Sequence, residues 1–486
     1  MTGAGRRLSY RDLERASRRY AATLSALGVG AGDRVAMQVD KSAEALVLYV
    51  ACLRMGAVLL PLNTAYTARE LEYFLADARP GLAVVRPSDH AALAPLARAA
   101  GCQRTESLGA AGDGSLAALA EGRPANFEFP AGLAPTSLAA LLYTSGTTGR
   151  SKGAMLTRGN LASNAAALVD CWRFTERDVL LHALPLFHVH GLFISVNTVL
   201  AAGASMLLLD RFDARDALAR LPTVSVLMGV PTYYTRLLAE PQLDRATTAG
   251  VRLFISGSAP LLADTHREFA ARTGHTILER YGMTETLVNA SNPYDGPRLP
   301  GSVGLPLAGI EIRVTGTDSA AGAGTDAVGM LEVRGPNVCA GYWNDAAKTA
   351  EAFTPDGFFA TGDLGSIDAA GYVHIVGRAK DLVISGGYNV YPKEVEQELD
   401  ALAGVVESAV IGIPHPDLGE GVTAIVVRAP GATLTEAEAL AALRTCLARY
   451  KVPRRVLFVD ELPRNSMGKV QKALLRQTHA SLYGPA

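Results

Sequence analysis

The sequence predicts an α/β protein with a large N-terminal domain of helix-covered sheets and a small, mobile α+β C-terminal domain. Its 486 residues exceed what one hydrophobic core normally holds. Strand-like and helix-like segments alternate through the first part of the chain, as in parallel sheets covered by helices. After residues 377–381, Gly-Arg-Ala-Lys-Asp, this alternation stops. We therefore predict domains at 1–379 and 380–486, with a hinge near Lys380.

The composition excludes several classes of protein. A hydrophobic content of 49% with 19% charged residues is typical of a globular enzyme, and a net charge of -1 offers nucleic acid no basic surface. Residues 1–7 lack the apolar core of a signal peptide, and the apolar stretch 43–62 is interrupted by Arg54, Gly56 and Pro61. The five cysteines are scattered without metal-binding spacing, which favours a reduced compartment. We expect a cytoplasmic protein without a membrane, nucleic-acid or obligate protein partner.

The first elements follow from local signals. Ser9 is a suitable N-cap for a helix that ends at Gly28, and Thr67 with Glu70 forms a capping-box pair for another. The other segments predicted before residue 100 are strands at 35–39, 57–60 and 82–85 and a helix at 43–55.

A stretch rich in hydroxyls and glycine, residues 143–153, follows the buried strand predicted at 138–142. Glycines let the backbone turn tightly against a ligand, while hydroxyl and N–H groups donate to anionic oxygens. Its lysine comes three residues after the Gly-Thr-Thr-Gly core, so the spacing is not that of a Walker loop. We predict a phosphate-binding loop; a flexible surface loop is the alternative. The predicted contacts are Thr144, Ser145, Gly146, Thr147, Thr148 and Lys152.

Polar turns later in the chain predict further walls of a site. The strands expected at 224–228 and 251–255 lead into turns, and ligands of open α/β sheets lie at such carboxyl ends. Tyr281 beside a glycine offers a stacking face for a base, and Thr284 next to Glu285 suits a magnesium–phosphate complex. The alternative for this stretch is an ordinary capped helix start. Asp363 is a candidate for the ribose hydroxyls, or a turn aspartate.

Two histidines lie at i and i+2, His188 and His190. A metal site is disfavoured because no further cysteine or carboxylate cluster accompanies them. We predict a core or gate role and place His188 among the catalytic residues.

The predicted small domain contributes two more motifs, the Gly386–Gly387 turn and Gly468–Lys469. A lysine on such a loop is usually only solvated. Lys469 lies far along the chain from the phosphate loop, so only the domain arrangement can bring the two together. The elements predicted here are strands at 405–413, 421–427 and 456–459 and helices at 392–399 and 435–449.

These motifs, together and in this order, resemble those of the adenylate-forming acyl-CoA synthetases over nearly the whole chain. Within the family, residues 188–191, 228–232, 256–262 and 291–296 most resemble malonyl-CoA synthetases. The resemblance implies the adenylate-forming fold, with malonate, ATP, Mg²⁺ and CoA as small-molecule partners. Malonate would form an acyl-adenylate with release of pyrophosphate, and methylmalonate stays open as a second substrate. The small domain would then rotate, and the CoA thiol would displace AMP.

The same resemblance assigns roles to individual residues. Lys469 would stabilise charge at the α-phosphate, Glu285 with Thr284 would hold magnesium, and Gly387 would line the pantetheine tunnel. The remaining residues expected to bind ATP or CoA are Ser258, Ala259, Pro260, Glu279, Tyr281, Gly282, Met283, Asp363, Arg378 and Gly386.

Selectivity for malonate requires a buried cation for its second carboxylate, since desolvation would otherwise oppose binding. Arginine suits this role because its fork matches a carboxylate bidentately. Arg298 matches the position of this arginine in malonate-specific relatives, although a surface arginine is the alternative. Arg236, Thr232 and His190 are the other substrate candidates.

Three other functions stay open at this stage. A ligase for a medium-chain or aryl monocarboxylate would have an apolar acyl pocket without a required arginine. A carrier-loading adenylation domain is disfavoured because no carrier-like segment follows Lys469. A non-catalytic nucleotide-binding protein is disfavoured by the presence of both Glu285 and Lys469. The chain enters the family pattern at Leu8, later than its relatives do, which bears on stability and oligomeric state more than on chemistry.

Overall fold

The strands form four sheets within the residues that the computed structural model describes, 2–3, 6–144, 151–316, 327–465 and 468–484. In chain order they are β1 (Thr2–Gly3), β2 (Arg6–Arg7), β3 (Arg34–Gln38), β4 (Val58–Pro61), β5 (Leu82–Val85), β6 (Arg104–Ser107), β7 (Leu138–Thr144), β8 (Lys152–Thr157), β9 (Val179–His182), β10 (Ser205–Leu208), β11 (Val226–Gly229), β12 (Leu253–Ser256), β13 (Leu278–Met283), β14 (Leu287–Ser291), β15 (Leu305–Pro306), β16 (Glu311–Thr315), β17 (Gly329–Arg334), β18 (Phe359–Ile367), β19 (Val373–Arg378), β20 (Val383–Ser385), β21 (Tyr388–Val390), β22 (Val405–His415), β23 (Gly419–Arg428) and β24 (Arg455–Val459).

Helices connect most of these strands. In chain order they are α1 (Tyr10–Ala26), α2 (Ala43–Met55), α3 (Ala68–Ala78), α4 (His90–Ala99), α5 (Ser115–Glu121), α6 (Arg158–Cys171), α7 (Asn197–Ala201), α8 (Ala214–Arg220), α9 (Pro231–Leu238), α10 (Arg245–Thr248), α11 (Ala263–Thr273), α12 (Ala346–Ala352), α13 (Pro392–Asp400), α14 (Glu436–Cys446) and α15 (Lys472–Thr478). A π-helix covers His190–Val196, and 3₁₀ turns cover Pro87–Asp89, Leu221–Thr223 and Ala379–Asp381.

The first sheet runs β6-β5-β3-β4-β7-β8, with β8 antiparallel and the other pairings parallel. Val35 and Met37 belong to one apolar core and Ala36 to another, so both faces are covered. The predicted caps at Ser9 and Thr67 are confirmed: each side chain accepts from the third residue of its helix, and that residue's carboxylate accepts in return.

The second sheet, β15-β14-β13-β12-β11-β9-β10-β1-β2, supplies most of the walls of the site. Strands β10, β9, β11, β12 and β13 are parallel neighbours. The carboxyl ends of these strands therefore lie along the same edge of the sheet. The segments that follow β11 and β12 begin at that edge. The α/β prediction for the large part of the chain is confirmed.

The stretch around Tyr281 is a strand and a turn rather than the helix start considered as its alternative. Strands β13 and β14 are antiparallel, with an irregularity between Tyr281 and Gly282. A Cβ at Gly282 would overlap the carbonyl oxygen of Leu287 and lie 2.8 Å from Cα of Val288. Glycine is needed there because the two strands approach so closely.

Two more sheets complete the fold. The antiparallel sheet β16-β17-β18-β19 ends at Arg378, and the five-stranded sheet of β20 to β24 begins at Val383. Two separate apolar cores contain only residues after this change of sheet. The helix predicted to reach Arg449 ends three residues earlier, at Cys446.

Among the described residues, no helix is long and apolar enough to cross a membrane.

Candidate active site

A cavity of about 1620 Å³ lies between the part of the chain before Arg378 and the part after it. The ends of β7 and β8, the β13–β14 turn and residues 187–189 line one side. Lys380, Asn465 and Lys469 line the other. Motifs that lie more than 300 residues apart in the sequence thus share one space.

The Glu285 carboxylate marks the end of the cavity next to the predicted phosphate loop. Its Oε1 accepts hydrogen bonds from Thr144 Oγ1 at 3.2 Å and from the Tyr342 hydroxyl at 3.3 Å. Burial raises the pKa of Glu285. Lys152 pairs with Thr144 across the β7–β8 hairpin, and its Nζ lies 4.9 Å from the ring centre of Tyr342. The predicted phosphate contacts Ser145, Gly146, Thr147 and Thr148 lie outside the described residues.

A second carboxylate is held by two partners at the junction of the third and second sheets. Asp363 accepts from the Tyr281 hydroxyl at 2.5 Å on Oδ2 and forms an ion pair with Arg378 Nε at 2.6 Å on Oδ1. Pairing of β18 with β19 places Asp363 directly opposite Arg378. Each carboxylate oxygen has a second lone pair, so Asp363 can still accept from ligand hydroxyls.

Lys469 reaches the cavity from a tight loop between β24 and α15. Its backbone N–H donates to Asn465 Oδ1 at 3.0 Å, and its carbonyl accepts from Asn465 N–H at 2.9 Å. Loss of hydration and the nearby charge of Arg378 lower the pKa of its ammonium to about 8. A Cβ at Gly468 would lie 3.2 Å from Thr232 Oγ1 on α9, so this loop contacts the large part of the chain.

The turn after β12 brings Ser258, Ala259 and Pro260 to the same edge of the sheet. Ser258 borders the cavity and has φ of +72°, a left-handed conformation that costs a non-glycine residue about 1–3 kcal/mol. Behind it lies Glu279, whose Oε1 accepts from Leu261 N–H at 3.2 Å. Its Oε2 has no partner among the described residues, and burial raises the pKa of this carboxyl to about 8.

Of the two predicted histidines, His190 is buried and His188 half-buried, and both are uncharged at neutral pH. His188 borders the cavity, and burial, together with the nearby Arg280, lowers its pKa to about 4. Its Nδ1 accepts from the backbone N–H of His190 at 3.1 Å. His190 Nδ1 lies 3.1 Å from Ser258 Oγ, while its Nε2 has no partner among the described residues.

Sequence reasoning assigned no role to Arg280, which lies at the base of the cavity. It is only 3% exposed, and burial lowers its pKa to about 9. Its Nε and Nη2 have no hydrogen-bond partner within the described part of the chain. The available signal was an arginine inside the strand Leu278–Met283, where a charge is buried and therefore needs a partner or a ligand.

The substrate role of Arg298 stays a prediction, and the geometry around its guanidinium does not favour it. Its Nε, Nη1 and Nη2 donate to the carbonyl oxygens of Pro293, Thr276 and Tyr294 at 3.2, 2.8 and 3.0 Å. Arg298 does not border the cavity, because these bonds turn its guanidinium into the loop that precedes it.

The other substrate candidates on α9 do not border the cavity either. Arg236 is exposed on this helix, and Thr232 instead contacts the Lys469 loop.

The Gly386–Gly387 turn is not part of the cavity. Both glycines are exposed, with φ of +59° and +83°, in the hairpin between β20 and β21. The predicted tunnel role belongs to a second arrangement of the small domain and stays a prediction.

The donor set fits magnesium, although no group of three or more His, Cys, Asp or Glu side chains that could hold a metal occurs in the described ranges. Mg²⁺ typically takes one or two carboxylates and completes its shell with phosphates and water. Glu285 provides the carboxylate, and Thr284 and Met283 border the cavity beside it.

Comparisons with known proteins agree with this geometry. Residues 1–343 match the AMP-binding enzyme family, and residues 394–469 match the AMP-binding enzyme C-terminal domain. The structure is similar to ATP-bound MatB from Rhodopseudomonas palustris, with a TM-score of 0.96 and 56% identity over 99% of this chain and 95% of that chain. The TM-score to the apo form of that protein is 0.84.

Two curated relatives have known substrates. The malonate–CoA ligase ACSF3 of Mus musculus, a mitochondrial protein, is 36% identical over 485 residues, covering 92% of this chain and 82% of its own. The feruloyl-CoA synthase of an Amycolatopsis species is 37% identical over 478 residues, covering 97% and 94%. The chain therefore belongs to the AMP-binding enzyme family.

Proposed function

We propose that the protein is an AMP-forming acid–thiol ligase that joins malonate to CoA through malonyl-adenylate. The observation that carries malonate is the buried Arg280 guanidinium. It borders the same cavity as Lys469 and Glu285, and two of its nitrogens have no partner among the described residues. The malonate–CoA ligase among the relatives supports the same substrate.

Nucleotide binding follows from groups described above. Asp363 accepts the ribose hydroxyls, held in position by Tyr281 and Arg378. Ser258, Ala259 and Pro260 frame the adenine, with Glu279 behind them. Glu285 and Thr284 hold Mg²⁺, which neutralises charge on the triphosphate. Lys469 meets the α-phosphate as the malonate carboxylate attacks and pyrophosphate leaves.

The distal carboxylate of malonate lies against Arg280. A cation with free N–H donors compensates the loss of hydration, and the fork geometry suits two carboxylate oxygens. His190 Nε2 and the neutral His188 add polar groups nearby without adding a competing charge. Methylmalonate would present the same distal carboxylate.

The second half-reaction requires another arrangement of the small domain. We place the boundary at 379/380 because the sheet changes between Arg378 and Val383, with Lys380 in the connecting turn. The higher TM-score to the ATP-bound than to the apo relative supports the adenylating arrangement here. Rotation about this turn would bring Gly387 towards the adenylate, where the CoA thiol displaces AMP. We also propose a cytoplasmic location, which the five unpaired cysteines support.

Replacing Arg280 tests the substrate. We expect Arg280→Met to lower kcat/KM for malonate about a hundredfold to a few thousandfold. Leaving the distal carboxylate of malonate buried without its cation should cost about 3–5 kcal/mol. At about 1.4 kcal/mol for each factor of ten, this cost gives the stated loss in kcat/KM. Efficiency with butyrate, which has no distal charge, should barely change, and ATP binding should stay the same. Arg298→Met is the control, because that arginine serves the fold and should affect both acids alike.

A different pattern would favour the other ligase reaction. A parallel loss for malonate and butyrate in Arg280→Met, or high activity of the unmodified protein with a feruloyl-type aryl acid, would contradict the malonate proposal. The 37% identity to a feruloyl-CoA synthase makes an aryl acid the appropriate comparison.

A further inference from the structure

The Arg280 side chain lies directly on the backbone of Gly257. A Cβ built on Gly257 would lie 2.5 Å from Cζ of Arg280, 2.9 Å from Cδ and closer still to Nε. Real Cβ atoms do not make such contacts, so any side chain at this position has to displace the guanidinium. The missing side chain of Gly257 thus provides the space that the guanidinium occupies.

The backbone on both sides of Gly257 is fixed. Ser256 ends β12 in register with Gly229 of β11, and Gly257 N–H donates to the Gly229 carbonyl at 3.3 Å. Ser258 follows in its left-handed conformation and contacts His190. These contacts hold the turn in place. If a Cβ is added at Gly257, the flexible end of Arg280 is therefore the part expected to move.

Backbone conformation does not require glycine here. Gly257 is not among the glycines with positive φ, so an alanine could adopt its backbone conformation without strain. The three atoms nearest to such a Cβ all belong to the Arg280 side chain. Alanine should consequently leave the fold intact and move the guanidinium by about an ångström.

We infer that Gly257 is the positioning residue that sets where the Arg280 guanidinium lies, and hence the selectivity for an acid with a distal carboxylate. This inference rests on the proposed function. Gly257 acts only through Arg280 and is not expected to touch the reacting atoms. A displacement of about 1 Å can reduce an enzymatic rate by a factor of about a hundred.

The experiment compares four proteins: the unmodified enzyme, Gly257→Ala, Arg280→Met and the double variant. Each is assayed for pyrophosphate release with malonate and with butyrate, and its melting temperature and ATP binding are measured. Gly81→Ala is the matched control, because that glycine also lacks positive φ and has nothing within 4 Å of its Cβ position.

We expect Gly257→Ala to lose about tenfold to a hundredfold in kcat/KM for malonate while butyrate, ATP binding and melting temperature stay unchanged. In the Arg280→Met background, the same change should have little further effect on malonate. Residues that act as one unit show this non-additivity in a double-mutant cycle.

The outcomes separate the two proposals. If Arg280→Met spares malonate, the proposed substrate fails, whatever Gly257→Ala does. If Arg280→Met loses malonate selectively but Gly257→Ala keeps it, the positioning role of Gly257 is overturned. Equal losses for both acids with a lowered melting temperature in Gly257→Ala would also overturn it, since the glycine would then serve the fold.

Discussion

Buried ionisable groups around the cavity are shifted away from their ordinary charge states. Burial lowers the pKa of His188 to about 4, so a neutral imidazole faces the substrates at pH 7. Burial raises the pKa of Glu279 to about 8, so this carboxyl is mostly protonated at pH 7. The positive charges of Arg280 and Lys469 are therefore neither increased by His188 nor balanced by Glu279, since both of these side chains are mostly neutral at pH 7.

The lowered pKa of Lys469 predicts a pH dependence of adenylation. Burial and Arg378 shift it from 10.5 to about 8, so the ammonium proposed to stabilise the α-phosphate is lost as pH rises through 8. We expect kcat/KM for ATP in pyrophosphate release to fall about tenfold per pH unit above that value. Thioester formation from supplied malonyl-adenylate should lack this decline.

Lys469→Arg is the control for this profile, because a guanidinium stays charged well above pH 8. Its profile should be flat through that range, even if the rate is lower. The same decline in the variant would assign the titration to another group, such as Glu279.

At the scale of elements, the loop that carries Lys469 contacts the large part of the chain through Gly468 and Thr232 on α9. Gly468 has φ of +73°, which an alanine adopts only with strain of about 1–2 kcal/mol. Its Cβ would also press on Thr232 at 3.2–3.3 Å. Both effects oppose the arrangement in which Lys469 reaches the cavity.

We expect Gly468→Ala to slow pyrophosphate release by roughly ten- to thirtyfold, since about 1.4 kcal/mol corresponds to a factor of ten. Thioester formation from supplied malonyl-adenylate should be much less affected. Adding Thr232→Ala removes the contact but not the backbone strain, so it should restore part of the rate. No recovery in single-turnover assays would mean that the Thr232 contact does not limit closure.

The sequence predicted best those elements that depend on residues close together in the chain. The N-cap of α1 at Ser9 and the capping box of α3 depend on residues three apart, and both formed as expected. The β13–β14 hairpin was missed because its turn, 284–286, lacks the glycine or asparagine typical of tight hairpins.

The sequence suggested Arg298 as the partner of the distal carboxylate, and the proposal of Arg280 in its place could not be made from the sequence. That proposal depends on which backbone carbonyls contact each guanidinium. Three such carbonyls accept from the Arg298 side chain, whereas two nitrogens of Arg280 have no partner in the described part of the chain.

At the scale of the molecule, one cavity joins two parts of the chain that fold around separate apolar cores. The arrangement places Lys469 inside the cavity and leaves the Gly386–Gly387 turn exposed. If both motifs have their proposed roles, only one of them can serve the adenylate at a time, and the order of the half-reactions would depend on domain position.

A bulky side chain at Gly387 should block only the second half-reaction. Nothing lies within 4 Å of its Cβ position in this arrangement, so Gly387→Phe should leave pyrophosphate release within about twofold of its normal rate. CoA-dependent turnover should fall at least tenfold if the turn lines the pantetheine path, since the ring would obstruct it. Gly431→Phe is a matched control, because Gly431 has φ of +80° and equally open surroundings. Equal loss of both steps in Gly387→Phe would contradict the tunnel role.

The Arg280 guanidinium, whose Nε and Nη2 have no hydrogen-bond partner within the described ranges, is expected to make the ligand-free protein less stable than its fold allows. A buried charge without a counter-ion opposes folding, and apolar replacements of buried charges often stabilise proteins by roughly 1–4 kcal/mol. Arg280→Met should therefore melt at a higher temperature than the unmodified protein when no ligand is present, although it turns over malonate poorly. With saturating malonate, the unmodified protein should melt at the higher temperature, because only that protein is stabilised by binding the ligand. Under the proposed function, selectivity for a dicarboxylate and tolerance of heat are thus opposed at a single side chain, and selection for one would weaken the other.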